Sequence, residues 1–260
     1  MSDVIDYDGL FRAASAGRAD EVRSFLEAGA NLRYRNKKGV TVAHLASAKG
    51  RLEALKLMLD SGLCPNVTCA GDKTPLHMAC NAETARLLLS AGASCGASDK
   101  YARKPLHTAT MNRRDDVVAV LLAGGACAHA CDIWGSTPLH EAGDAKVASL
   151  LLDAGALAAA RDKDGKTPLH TAVASGFDEV VEALVRAGAD IGATDNAGRT
   201  PLHCARFFTT VKLLLALGAN PELCDADGRK PLDRFQAMGL GGDMGASPAI
   251  HLQGSLLTPA

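Results

Sequence analysis

Six histidines stand at one register of this chain: His44, His77, His107, His140, His170 and His203. Histidine titrates near neutrality and is a common metal ligand, so a regular array of it could hold ions or move protons. The spacing speaks against a shared ion. Successive copies are 33, 30, 33, 30 and 33 residues apart, and packed helical layers stand roughly 10 Å from one another. Zinc ligands lie about 2 Å from the metal. The other ligand-like group is Cys127-Ala128-His129-Ala130-Cys131. In an extended link, residues i, i+2 and i+4 face one side, which would turn Cys127, His129 and Cys131 toward one cation or a second chain. No fourth ligand accompanies them, and Cys64, Ser94, Leu157 and Asp190 fill the register of Cys127 elsewhere. Free thiols in a loop are therefore the favoured reading. Outside the repeated pattern there is no nucleophile–base set, phosphate-cradling glycine loop or paired-carboxylate motif. The chain reads as non-enzymatic, with no metal and no cofactor.

The elements that carry the histidines restate one phrase. Thr-Pro-Leu-His-x-Ala begins at Thr74, Thr137, Thr167 and Thr200, with looser copies from Thr41, Lys104 and Lys230. A threonine before proline predicts a helix start, its hydroxyl accepting a backbone N–H two or three residues on. Proline at the first helical position loses only a donor that would be orphaned there anyway. Downstream, text such as Val180-Val181-Glu182-Ala183-Leu184-Val185-Arg186-Ala187-Gly188 has apolar residues at helical spacing and a terminal glycine suited to the left-handed position. On this motif the chain resembles the ankyrin-repeat family over nearly its whole length. The resemblance implies an all-α repeat fold, a solenoid of stacked helix-turn-helix units joined by β-hairpin-like loops. It also implies a structural histidine that bonds the threonine hydroxyl and adjacent backbone, and a non-catalytic role in binding proteins. Asn66, four residues after Gly62, matches the position at which some relatives are asparaginyl-hydroxylated.

Taken in order, residues 1–7 are a polar lead and 8–238 a repeat domain. Its units begin at 8, 41, 74, 104, 137, 167 and 200, with a partial unit at 230. The run from start to closing glycine takes 21 residues in long units and 18 in those starting at 74, 137 and 200. Three residues are close to one helical turn, so the short units should have a first helix trimmed by a turn, over 74–80, 137–143 and 200–206. Tight turns are expected before Ala82, Ala145 and Thr209. One edge of the stack is then notched, while the 12-residue link on the other side stays even. Residues 239–260, rich in Gly and small residues, read as a mobile tail.

Composition narrows the function classes. A formal net charge of -1 carries no polyanion-binding signature, which disfavours nucleic acid. No apolar run of 18 residues could span a membrane, and the acidic N-terminus (Asp3, Asp6, Asp8) is no secretory leader. Eight irregularly spaced cysteines in such a chain read as reduced thiols of an intracellular protein, cytoplasmic with the nucleus left open, and monomeric.

What the repeat does not dictate lies at the hairpin tips just before each motif. The aspartates and glycines there serve the turns. The residue directly before the motif is basic at Lys73, Arg103, Lys166, Arg199 and Arg229. Stacking would align these, with Lys38, Lys100 and Lys163, into a ridge that is either solvated surface or read by a partner. Tyr101 and Trp134 share one register on consecutive tips, with Ile133 beside the tryptophan. Aromatics at a tip are either interface anchors or a cover for the stack. The inner helix face adds Leu45, Met78, Thr108, Glu141 and Thr171. The expected activity is that of an adaptor or scaffold binding a protein through tips and inner face; the alternative is an inhibitor or regulatory subunit that occludes an enzyme or transcription factor.

Overall fold

The computed structural model describes residues 5–233. The first four residues of the lead and the predicted tail at 239–260 lie outside that range. The described chain is all-helical: α1 (Tyr7–Ala16), α2 (Ala19–Glu27), α3 (Val42–Lys49), α4 (Leu52–Asp60), α5 (Ala82–Ser90), α6 (Pro105–Met111), α7 (Asp115–Ala123), α8 (Ala145–Asp153), α9 (Pro168–Ser175), α10 (Asp178–Arg186), α11 (Pro201–Cys204) and α12 (Phe208–Ala216), with 3₁₀ turns at Pro75–Met78 and Pro138–Glu141. First helices stack on first helices, and second on second. One continuous core of Leu, Val and Ala runs between the two rows, with Leu55, Leu88, Leu121, Leu151, Leu184 and Leu214 fully buried.

The trimmed first helices are present in the three short units. They span 4 residues each, against 7 to 10 in the long ones. They are shorter than the sequence suggests, ending at Met78, Glu141 and Cys204, and two of them wind as 3₁₀ rather than α. The chain then runs extended instead of making tight turns: Asn81, Asp144 and Phe207 all have β-region φ/ψ. The third of the following helices starts at Phe208, one residue early. Two of these starts are capped by side chains, Asn81 accepting from the Thr84 N–H at 3.0 Å and Asp144 from Lys146 and Val147 at 2.9 and 3.1 Å. An extended entry presents an Asx side chain to the first free N–H groups, which a continuous helix could not.

The motif adds a histidine to the threonine N-cap. The Thr74 backbone N–H donates to His77 Nδ1 at 3.0 Å, and the Thr74 hydroxyl lies 2.9 Å from the same nitrogen. A backbone N–H can only donate, so Nδ1 is the acceptor and the proton sits on Nε2. That nitrogen donates to the Arg103 carbonyl of the next unit, 3.0 Å away. The pattern repeats at His140 to Lys166, His170 to Arg199 and His203 to Arg229, each at 3.0 Å. The threonine hydroxyl thus donates to the histidine, and the histidine spans two units. Burial holds His77, His107, His140 and His170 below the usual imidazole range and brings His44 down to about 4, so all five are neutral near pH 7.

The links carry the hairpins. Asp99 N–H bonds Arg103 O and Asp132 N–H bonds Ser136 O, both closing a finger. Neighbouring fingers are stitched by Lys100 N–H to Gly71 O, Ile133 N–H to Tyr101 O and Lys163 N–H to Trp134 O. Each tip needs a left-handed residue two before the motif. Glycine supplies it at 39, 135, 165, 198 and 228, but Asp72 and Ala102 adopt it with φ of 59° and 58°.

Candidate partner-binding site

The structure brings Tyr101, Ile133 and Trp134 together. Tyr101 is half-buried, while Ile133 and Trp134 remain 42% and 46% exposed. The Tyr101 and Trp134 rings stack at 5.5 Å with 30° between planes. The Arg103 guanidinium lies 5.1 Å from the Trp134 ring centre and 5.6 Å from that of Tyr101. Its Nε is 3.5 Å from Asp132 Oδ2, a buried carboxylate. The other Asp132 oxygen accepts the Trp134 and Ser136 N–H groups at 2.8 and 3.0 Å. Asp99 does the same for Tyr101 and Arg103 at 2.8 and 3.0 Å. Turn aspartates, one arginine and two rings therefore form a single clamped unit. Arg103, expected as a rim charge, lies against both rings with its charge matched by Asp132.

The expected basic ridge is uneven. Lys166 pairs with Asp164 at 2.8 Å, Arg199 with Asp195 at 2.7 Å, and Arg229 with Asp225 at 3.2 Å. Their charges are largely spent within their own fingers. Among the described residues, no carboxylate pairs with Lys38, Lys73, Lys100 or Lys163. Lys38, Lys100 and Lys163 are exposed and Lys73 is half-buried. Lys100 Nζ stands 4.7 Å over the Tyr101 ring, and Lys163 follows Trp134 through the backbone bond between their fingers. The free cations flank the aromatic pair on both sides.

Below the fingers, Leu45, Met78, Thr108, Glu141 and Thr171 are all half-buried. Glu141 accepts no ion pair among the described residues, and burial pushes its carboxyl up, opposed by nearby Arg103. The Thr171 hydroxyl is occupied by the His140 and Pro168 carbonyls, both at 2.9 Å.

The Cys127, His129 and Cys131 group does not lie in an extended strand. Ala130 N–H closes a turn onto Cys127 O at 3.3 Å, and Ala128 is buried between the three exposed side chains. Among the described residues no three His, Cys, Asp or Glu side chains are grouped to hold a metal. Asn66 bridges two units, its Nδ2 donating to Gly92 O at 3.0 Å and its Oδ1 accepting from Ser94 N–H at 2.8 Å.

Sequence reasoning missed a second cluster on the notched edge, formed by Arg113, Phe177, Phe207 and Phe208. Its signal was present: Arg113 occupies the register at which Gly17, Gly50 and Gly176 take left-handed φ, and does so itself at φ 54°.

The ankyrin-repeat model of three copies matches this chain in overlapping segments, at residues 10–99, 65–129, 81–162, 106–195 and 143–225. Among solved structures, the ankyrin repeat domain of Bcl-3, described as a member of the IkappaB family, is 28% identical with a TM-score of 0.66, covering 80% of this chain and 97% of that one. The human ASB11 ankyrin repeat domain is 25% identical with a TM-score of 0.72, covering 82% and 98%. An ankyrin repeat domain from Acinetobacter baumannii AYE is 26% identical with a TM-score of 0.61, covering 71% and 100%. With the motif, the stacked helix pairs and the family model in agreement from residue 10 to residue 225, the chain belongs to the ankyrin-repeat family.

Proposed function

We propose that this protein is a non-catalytic adaptor or scaffold that docks a protein partner on the Tyr101–Trp134 finger pair. Ankyrin repeats generally mediate protein–protein interaction. The observation that carries the finer reading is the half-exposed aromatic stack, clamped from beneath by Arg103 and Asp132 and flanked by the free ammonium groups of Lys100 and Lys163. Rigid aromatic anchors lose little entropy on binding and dominate affinity, while rim charges steer approach. The matching partner offers an apolar pocket edged by carboxylates, with the unpaired Lys38 and Lys73 extending the charged contact along the fingers and the paired Lys166 and Arg199 lending only their half-exposed stems. Eight free cysteines fit an intracellular setting, cytoplasmic or nuclear, and no helix of the described residues is long and apolar enough to cross a membrane. A monomer without nucleic-acid partners completes the reading. Crosslinking mass spectrometry on native cells, with Trp134→Ala as control, tests it: partner crosslinks at Lys100 and Lys163 should disappear in the variant.

The similarity to the Bcl-3 domain favours a second reading, a regulatory subunit that occludes its partner. On this reading the chain would form a stoichiometric complex and lower its partner's activity, whereas a scaffold would hold two partners at once.

A further inference from the structure

The notched edge, on the side opposite the fingers, gathers apolar side chains that no neighbour covers. Met111, Phe207 and Phe208 are 42%, 50% and 40% exposed. The short unit at 137 makes the cluster continuous. A side chain at Gly143 would come within 3.0 Å of Arg113 Nε and 3.1 Å of the Phe177 ring, so Arg113 from one long unit reaches across it to Phe177 of the next, 5.0 Å from the ring centre. Phe207 in turn lies on Gly176, where an added methyl would stand 2.5 Å from its ring. Lys212 Nζ stands 4.5 Å over Phe208.

The cations beside the rings have no ion-pair partner among the described residues: Arg113, Arg206 and Lys212 are exposed and lack a carboxylate. Of the carboxylates farther along this edge, Asp115 pairs with Lys146, while Asp116, Asp144 and Asp178 accept from the Ala82 N–H, the cap of α8 and the Thr210 hydroxyl and are held in place by those bonds. Glu179 is left. Arg113 also holds a left-handed backbone that its sister units give to glycine, and residues kept in such conformations cluster at functional sites.

From the exposed rings and the unpaired cations we infer that the Met111–Arg113–Phe177–Phe207–Phe208 edge is a second docking strip, and that its occupant is an acidic peptide segment with interleaved apolar residues. Carboxylates of the segment pair with Arg113, Arg206 and Lys212, and its apolar side chains cover the phenylalanines. The fingers face away from this edge, so one chain can engage two partners at once.

A random 12-residue display library, selected on the full chain carrying Trp134→Ala, tests the strip without the finger site. Enriched peptides should alternate Asp or Glu with Leu or Phe, and should protect amides at 111–113 and 205–212 from hydrogen exchange. Binding should fall at least about ten-fold when Arg113→Glu and Lys212→Glu are added, both solvent-facing changes that leave the core alone. Arg113→Gly, which restores the glycine of the sister units, should weaken binding while keeping the fold. No enrichment, equal binding to the charge-reversed chain, or protection elsewhere would overturn the inference. Protection mapped to the strip separates these results from the finger site, whose Trp134 anchor the bait lacks.

Discussion

Lowering the pH from 7.5 to 5 should destabilise this protein through its stacked histidines. Each buried imidazole is neutral, donates from Nε2 to the next unit's carbonyl, and accepts at Nδ1. A depressed pKa in the fold means that the unfolded chain binds more protons between the two values, so stability is complete above about 6.5 and declines below it. For His44, which falls from 6.5 to about 4 in the fold, a pH of 5 removes about 2 kcal/mol, at about 1.4 kcal/mol per unit. His77, His107, His140 and His170 shift in the same direction and add to the loss. Glu141, raised by burial, acts in the opposite sense, because the fold gains by protonating it. Asp115, Asp164, Asp195 and Asp225 are held below the ordinary carboxylate range, so their losses begin only below about pH 4 and leave this window clear. Urea titrations at pH 7.5, 6.5, 5.8 and 5 would read the effect, with His44→Asn as comparison. The variant should be less stable at pH 7.5 and should lose less between pH 6.5 and 5. Equal slopes for the two proteins, or a flat profile over this range, would refute the role given to the histidines.

Three further outcomes follow from the geometry, each read by denaturant midpoint. Ala102→Gly should stabilise by about 1 kcal/mol, because Ala102 holds a left-handed φ of 58° where five other tips have glycine. Thr110→Val should be neutral or stabilising, since the buried Thr110 hydroxyl has no partner and Val173 already fills the equivalent place in another long unit; a loss above about 1 kcal/mol would reveal a hidden bond. Lys104→Thr should raise stability by less than about 1 kcal/mol: a threonine hydroxyl would reach His107 Nδ1, but the bonds of Lys104 Nζ to Gly96 O and Ser98 Oγ would be lost.

The repeat was legible because its signals are redundant: Thr-Pro, the histidine register and the closing glycines all mark the same boundaries. The trimmed helices were legible from the three missing residues, yet the 3₁₀ winding of two of them was not, since four residues lie at the margin between 3₁₀ and α and the third winds as α. The threonine stands at the N-cap as its place before proline suggests, and the ring nitrogen three residues on adds to that cap by accepting its backbone N–H. The ridge looked uniformly basic because the lysines and arginines were read alone. The finger aspartates, Asp164 for Lys166, Asp195 for Arg199 and Asp225 for Arg229, were credited only to the turn, although each also neutralises a cation. The notched-edge cluster needs contacts between units two apart, as between Arg113 and Phe177, and a register comparison at residue 113 was its only trace in the sequence.

The aromatic pair is the center of the functional reading, and Trp134→Ala separates its two roles. The ring is both exposed and packed, so stability should fall by about 1–2 kcal/mol from the lost stacking and cation–π contacts, a shift of a few degrees. Crosslinking mass spectrometry on native cells expressing the wild-type or Trp134→Ala protein then measures partner contact at Lys100 and Lys163. The account predicts partner crosslinks at both lysines in the wild type and their loss in a variant that is still folded. Crosslinks that persist in Trp134→Ala, or that fall only on the outer helices, would contradict it.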